Sequence, residues 1–127
     1  MTAPAACPCG SGREYGACCG PTHEGAPAPT AEALMRSRFS AFARGLPEYV
    51  LASWHPSTRP ASLELDEHTV WRRLQIVDTV AGGPDDDEGF VEFRASYRDP
   101  DGGGLLHERS RFVRVAGRWA YLDGDTP

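Results

Sequence analysis

The side chains of this chain best suited to chemistry are four thiols. Cys7, Cys9, Cys18 and Cys19 all fall in the stretch CPCGSGREYGACCG, residues 7–20. Their C-x-C-x8-C-C spacing makes two close pairs joined by a loop. Tetrahedral zinc, with Zn–S bonds near ~2.3 Å, needs sulfurs about 3.7 Å apart, and two such pairs can supply them. Gly10 and Gly12 let the backbone turn sharply where a side chain would crowd an ion. A segment this short cannot bury a core, so the ion would supply most of its folding free energy. Four protein ligands leave no position for water, which is the pattern of a structural rather than a catalytic site. Other arrangements stay open. One is a disulfide, although C-x-C and vicinal bridges are strained. Another is iron, which shares the preference for thiolate. A third puts His23, four residues past Cys19, in place of one thiol. Redox sensing by exposed thiols is a further use of the same residues.

The second candidate group lies in the C-terminal half. Side chains alternate along a strand, so Leu106, Glu108, Ser110 and Phe112 share one face. Val91, Phe93, Ala95 and Tyr97 share another, and Trp119 and Tyr121 a third. If these apolar faces form the core, Glu108 and Ser110 point into it. A desolvated carboxylate has a raised pKa and can act as a general base. The structural alternative is a buried ion pair between Glu108 and Arg36 or Arg38 of the preceding helix, since buried charge normally comes with a partner. Glu108, Ser110, Tyr97, Arg38 and His55 are therefore the candidate pocket residues. His55, before Pro56, would otherwise cap helix carbonyls. His107 has the opposite parity to Phe112 and is expected to face outward. The run PDDDE at 84–88 lacks the spaced ligands of a calcium loop and reads as a solvated hairpin. Trp54, Trp71 and Trp119 are expected in the core. There is no nucleophile–base–orienter set, and no catalytic residue is assigned.

The elements that must position these groups follow from periodicity. Residues 1–6 read as a tail, 7–20 as the cysteine segment, and PTHEGAPAPT at 21–30 as rich in linker residues. Ala31, Leu34, Met35, Phe39, Phe42 and Leu46 then recur at helical spacing, with Thr30 as N-cap and Gly45 just past the end. Pro47 opens a second short helix that stops before Pro56, and a further helical turn is expected near LELDEHTV at 63–70. Beyond residue 70 the period becomes two, over four strands with short connections: 71–80, 89–98, 105–115 and 118–124. Sequential strands of this kind make an antiparallel meander, and helices followed by strands make an α+β fold.

The chain has 127 residues, 40% of them hydrophobic, enough for one compact domain with an appendage. The formal net charge is −5, and the 13 basic residues are all arginine. That balance disfavours nucleic acid as a partner. No 18-residue apolar run exists and no secretory leader is recognised, so no membrane span and a cytoplasmic location are expected.

The cysteine stretch resembles the SEC-C motif, a small zinc module. The resemblance implies zinc at Cys7, Cys9, Cys18 and Cys19, and an interaction surface rather than an enzyme. LMRSRFSAF, HERSRFVR and GRWAYLDG, following that motif in this order, resemble the YchJ family of bacterial proteins. That resemblance implies a main domain like nuclear transport factor 2, in which helices pack on a strongly curved antiparallel sheet to form a cone with a cavity. The expected organisation is a SEC-C zinc knuckle over 1–24, a linker over 25–29 and the α+β cone over 30–127. The expected function is binding of a protein partner through the knuckle, with a homodimer through the sheet as a second form of association. The alternative is a small-molecule binder or enzyme using the cone, with Glu108 as acid or base.

Overall fold

The computed structural model describes residues 6–127; the tail read at 1–6 falls, apart from Ala6, outside the described residues. A single 3-10 turn (Tyr15–Ala17) and a short helix α1 (Cys19–His23) make up the regular part of the cysteine segment. Helices α2 (Ala31–Arg44) and α3 (Pro47–Ala52) follow. Four strands complete the chain: β1 (Val70–Ala81), β2 (Glu88–Asp99), β3 (Gly102–Val115) and β4 (Arg118–Asp125). They form one antiparallel sheet in the order β1-β2-β3-β4, the meander expected.

The local signals of α2 act where the sequence puts them. The Thr30 hydroxyl accepts from the Ala33 amide at 3.0 Å, and Gly45 ends the helix in the left-handed region at φ 71°. Pro47 occupies the first turn of α3. The turn expected near 63–70 is not helical. Asp66 instead accepts from the His68 amide and the Thr69 hydroxyl, an acid-centred turn that leads directly into β1.

The apolar stripe of α2 meets the sheet. Ala31, Leu34, Met35 and Phe39 pack with Val91, Phe93, Ala95, Phe112 and Trp119 in one buried cluster. β1 carries register shifts at Trp71/Arg73 and Ile76/Asp78, and β3–β4 one at Arg111/Phe112. Bulges of this kind bend a strand and increase its twist, which is how a four-stranded meander wraps a single helix. The outer face is lined with charge: His107 pairs with Glu92 at 2.8 Å and Arg111 with Glu88 at 2.9 Å. His107 thus has the outward side its parity implied. In the PDDDE loop Asp86 accepts from the Gly83 amide, and the Arg114 guanidinium occupies the carbonyls of Gly83, Pro84 and Asp86.

A second face of α2 is also buried. Ser37, Ser40 and Ala41 are no more than 1% exposed. They lie under α3 and under the cysteine segment, so α2 is a central layer with the sheet on one side and the knuckle on the other.

Candidate functional site

Two sites are built on the two faces of α2. On the outer face, Cys7, Cys9, Cys18 and Cys19 bring their Sγ atoms within 4.8 Å of one another. Cys9 and Cys18 are 3.6 Å apart and Cys18 and Cys19 4.0 Å, close to the separation of two ligands on one tetrahedral ion. These distances are far beyond a sulfur–sulfur bond of about 2.05 Å, and all four thiols are free. The backbone makes the cluster in two steps. The Gly10 amide returns to the Cys7 carbonyl at 3.2 Å, and the Cys7 amide reaches the Arg13 carbonyl at 2.9 Å. Gly10 and Gly12 lie at φ 80° and 85°, a region open to glycine without cost. Helix α1 then carries Cys19 into the cluster behind Cys18.

The electrostatics of the thiols suit a cation. Hydrogen bonding from Cys19 brings Cys9 down to about 4, and the same bond pushes Cys19 up. Burial also raises Cys18. Sulfurs this close cannot all ionise unless a positive charge sits between them. Three of the four are under 5% exposed. Donor type, number and spacing therefore fit a divalent ion held by four thiolates.

His23 is not a fourth ligand. Its Nε2–H donates to the Ser37 carbonyl at 2.8 Å, which leaves Nδ1 to accept from the Tyr15 hydroxyl. Burial lowers its pKa, in keeping with a neutral ring. The ring also packs on Tyr49 of α3 at 4.5 Å. Tyr15 is covered in turn by the Arg44 guanidinium at 3.7 Å. Arg36 Nη1 donates to the Cys9 carbonyl at 2.8 Å, and Cys7 Sγ lies 3.3 Å from Ser40 Oγ. Tyr15, His23, Arg36, Ser37, Ser40 and Tyr49 thus clamp the knuckle to α2 and α3. Sequence reading missed this clamp, although an aromatic inside a glycine-rich loop was a signal for it. The stretch expected as a linker is docked as well: Ala28 is buried in the core, and Gly25 O accepts from Arg118 at 2.6 Å.

An open groove of about 860 Å³ runs where the knuckle meets the domain. One wall is the exit of the knuckle, Thr22–Ala28. The others are the region from Gly45 to Trp54 and the end of the β3–β4 hairpin.

On the inner face of α2, a cavity of about 210 Å³ lies between the helix and the sheet. Arg38, Glu108 and Ser110 reach it together, with Trp54 and Tyr121. The expected ion pair is absent. Arg36 is spent on Glu32 and Cys9, and Arg38 forms no salt bridge with Glu108. Arg38 Nη1 instead donates to the Val50 carbonyl at 3.1 Å and to Ser53 Oγ at 2.6 Å. The carbonyl ends of α3 are the nearer acceptors. The guanidinium is held between the rings of Tyr121 and Trp54, at 4.3 Å and 4.9 Å from their centroids. Glu108 Oε2 accepts from Ser110 Oγ at 2.6 Å and from the Tyr121 hydroxyl at 3.4 Å. Its carboxyl lies against Gly124, where any side chain would collide with it.

Two candidates fall outside the cavity wall. Tyr97 stacks on Trp71 at 5.2 Å and rests over Gly104. His55 Nδ1 accepts from the Ser57 amide and hydroxyl, while its own amide donates to the Tyr121 carbonyl. It closes a turn after α3 and caps no helix carbonyl. Trp71 and Trp119 pack with the core cluster, and Trp54 sits edge-on to Tyr121.

Comparison with known proteins agrees with both halves of this architecture. Residues 30–124 match the model for the YchJ middle NTF2-like domain, and residues 5–21 that for the SEC-C motif. A UPF0225 protein of Streptomyces coelicolor is 56% identical over 94% of both chains. One of Xanthomonas oryzae is 53% identical over 92% of both. The solution structure of a SEC-C motif containing protein from Rhodopseudomonas palustris covers 95% of this chain and 98% of its own, with a TM-score of 0.82 at 32% identity. A crystal structure of a SEC-C motif containing protein from Psychrobacter arcticus covers 92% of this chain and 80% of its own, with a TM-score of 0.76. No helix among the described residues is long and apolar enough to cross a membrane. The chain belongs to the YchJ (UPF0225) family, an NTF2-like α+β domain preceded by a SEC-C cysteine cluster.

Proposed function

We propose that the chain is a zinc-carrying interaction module that binds a segment of a partner protein in the groove between knuckle and domain. The observation that carries this reading is the shared construction of that groove. One wall, Thr22–Ala28, is the direct continuation of the cysteine cluster through Cys19, so on this reading an ion that orders the cluster also sets the position of that wall. Zinc is favoured over iron because four thiolates in a closed tetrahedral set suit a metal whose role is shape. Protein sulfur fills all four positions, leaving no place for an activated water. The groove offers an apolar floor from Leu34, Leu46 and Trp119 and charges of both signs from Glu24, Glu48 and Arg118. Those are the features of a site for an extended, mixed-charge peptide.

The test selects peptides by phage display on the zinc-loaded protein and titrates one into 15N-labelled protein. The reading expects shifts confined to residues 22–28, 46–54 and 115–120, and loss of binding when zinc is chelated. Binding that survives chelation, or shifts on the outer sheet face, would remove it.

A further inference from the structure

We propose that the cavity on the inner face of α2 binds a small, neutral, planar amide: a single-ring carboxamide or lactam held between Arg38 and Glu108. This site shares Trp54 with the wall of the peptide groove but has its own polar groups in Arg38, Glu108 and Ser110, and it stands or falls without that groove.

Arg38 and Glu108 each keep hydrogen-bonding capacity that no protein group among the described residues uses. Arg38 is only 4% exposed. Nη1 is fully engaged at the end of α3, but Nε and Nη2 have no partner among the described residues. Neither nitrogen is sealed from solvent, so both present a donor edge to a guest in the cavity that Arg38 lines. Burial lowers its pKa to about 10, so it remains a cation at neutral pH. The Tyr121 and Trp54 rings fix its plane. Glu108 shows the complementary pattern. Ser110 and Tyr121 both donate to Oε2, and Oε1 has no donor among the described residues. Trp54 Nε1, by contrast, is sealed without an acceptor, as is Trp119 Nε1 away from this cavity.

A donor edge and an acceptor facing one cavity match the carbonyl and N–H of an amide. Charge makes the same choice. The cavity holds one cation and one carboxylate, so a neutral guest leaves the balance intact. An anion would meet Glu108 and a cation would meet Arg38. Size and walls set the rest. About 210 Å³ is below the roughly 300–1,000 Å³ of drug-sized sites and suits one ring. Phe39, Phe42, Trp71 and Phe93 line the space with aromatic surface, which favours a flat guest. Phe42 and Leu106 keep solvent exposure and give the cavity an opening.

Three probes of one shape and different charge test this: benzamide, benzoate and benzamidine, each titrated into the full zinc-loaded chain and read by 15N shifts, including the Trp54 indole. Benzamide is expected to bind tightest. Arg38→Met should weaken it about tenfold and move the preference toward benzamidine. Glu108→Gln should weaken it by a similar factor and move the preference toward benzoate. A purely structural Arg38 or Glu108 would not reverse the charge preference. Should Arg38→Met fail to fold, Glu108→Gln and the mouth-blocking Leu106→Trp decide. The latter should abolish binding of all three probes with the fold intact. No binding of any probe, equal binding of the three, tightest binding of benzoate or benzamidine to the unaltered protein, or an unchanged preference in Glu108→Gln overturns the proposal.

Discussion

Removing the metal should unfold the knuckle and leave the sheet standing. Without an ion, the knuckle is held by a short set of contacts. The Arg36 bond to the Cys9 carbonyl contributes about 1.5 kcal/mol, the low end for a charged donor, because the arginine is 25% exposed. The His23 bond to Ser37 contributes about 1 kcal/mol. The ring contacts of His23 with Tyr15 and Tyr49 contribute about 1 kcal/mol each. With the Arg44–Tyr15 contact and the Tyr15–His23 and Cys7–Ser40 hydrogen bonds at about 1 kcal/mol each, these give roughly 8 kcal/mol, whereas fixing the backbone of about twenty residues costs on the order of 20 kcal/mol. The deficit of about 12 kcal/mol falls within the ~10–16 kcal/mol that a structural zinc site supplies. The sheet does not share this dependence, since among the described residues before Ala31 the main core cluster takes only Ala28. Hydrogen exchange read by mass spectrometry, with and without a zinc chelator, measures both parts. Peptides covering 6–25 should lose their protection, while those from β2 and β3 keep theirs. Protection over 6–25 that survives proven metal loss would refute the reasoning, as would simultaneous loss from the sheet.

Other expectations follow from single contacts. Arg36→Met should lower the free energy of knuckle opening by about 1–2 kcal/mol without changing protection of the sheet, in the same exchange experiment. Ala116 and Gly117 form the two-residue β3–β4 turn with φ at 51° and 81°, and alanine is poorly suited to that region. Ala116→Asn should therefore raise stability to urea by about 0.5–1 kcal/mol. Burial, with the Glu108 carboxylate adding to it, pushes the Tyr121 phenol up to about 12. A raised phenol contributes stability that is full below its unfolded value of about 10 and is lost as pH climbs through the folded one. Urea melts should show Tyr121→Phe losing less stability than the unaltered protein between about pH 10 and about pH 12.

Much of the fold was legible because it rests on local rules. The α2 caps at Thr30 and Gly45, the Pro47 start of α3 and the strict alternation of β2 and β3 each leave a mark within a few residues. The cysteine cluster was legible for the same reason, since its ligands sit within thirteen positions of one another. What was hidden depends on long-range geometry. Glu108 does face inward with Ser110, as parity requires, but parity cannot say which donor reaches it. Arg38 turned to the carbonyl end of α3, a choice fixed by how two helices cross. The clamp of Tyr15, His23 and Tyr49 joins three elements, and no spacing in the chain announces it. His55 was misplaced because a residue before proline at a helix end can serve either the helix or the following turn. The segment at 63–70 had helical composition, yet Asp66 spends its carboxylate on a turn into β1.

The claim beneath the rest is that four sulfurs hold one zinc ion. X-ray absorption at the zinc edge of freshly purified protein tests it most directly. The account predicts one zinc per chain with a first shell of four sulfurs near ~2.3 Å, losing one sulfur in Cys9→Ser. A shell containing nitrogen or oxygen in the unaltered protein, or a metal-free protein whose knuckle amides are already protected, would contradict it.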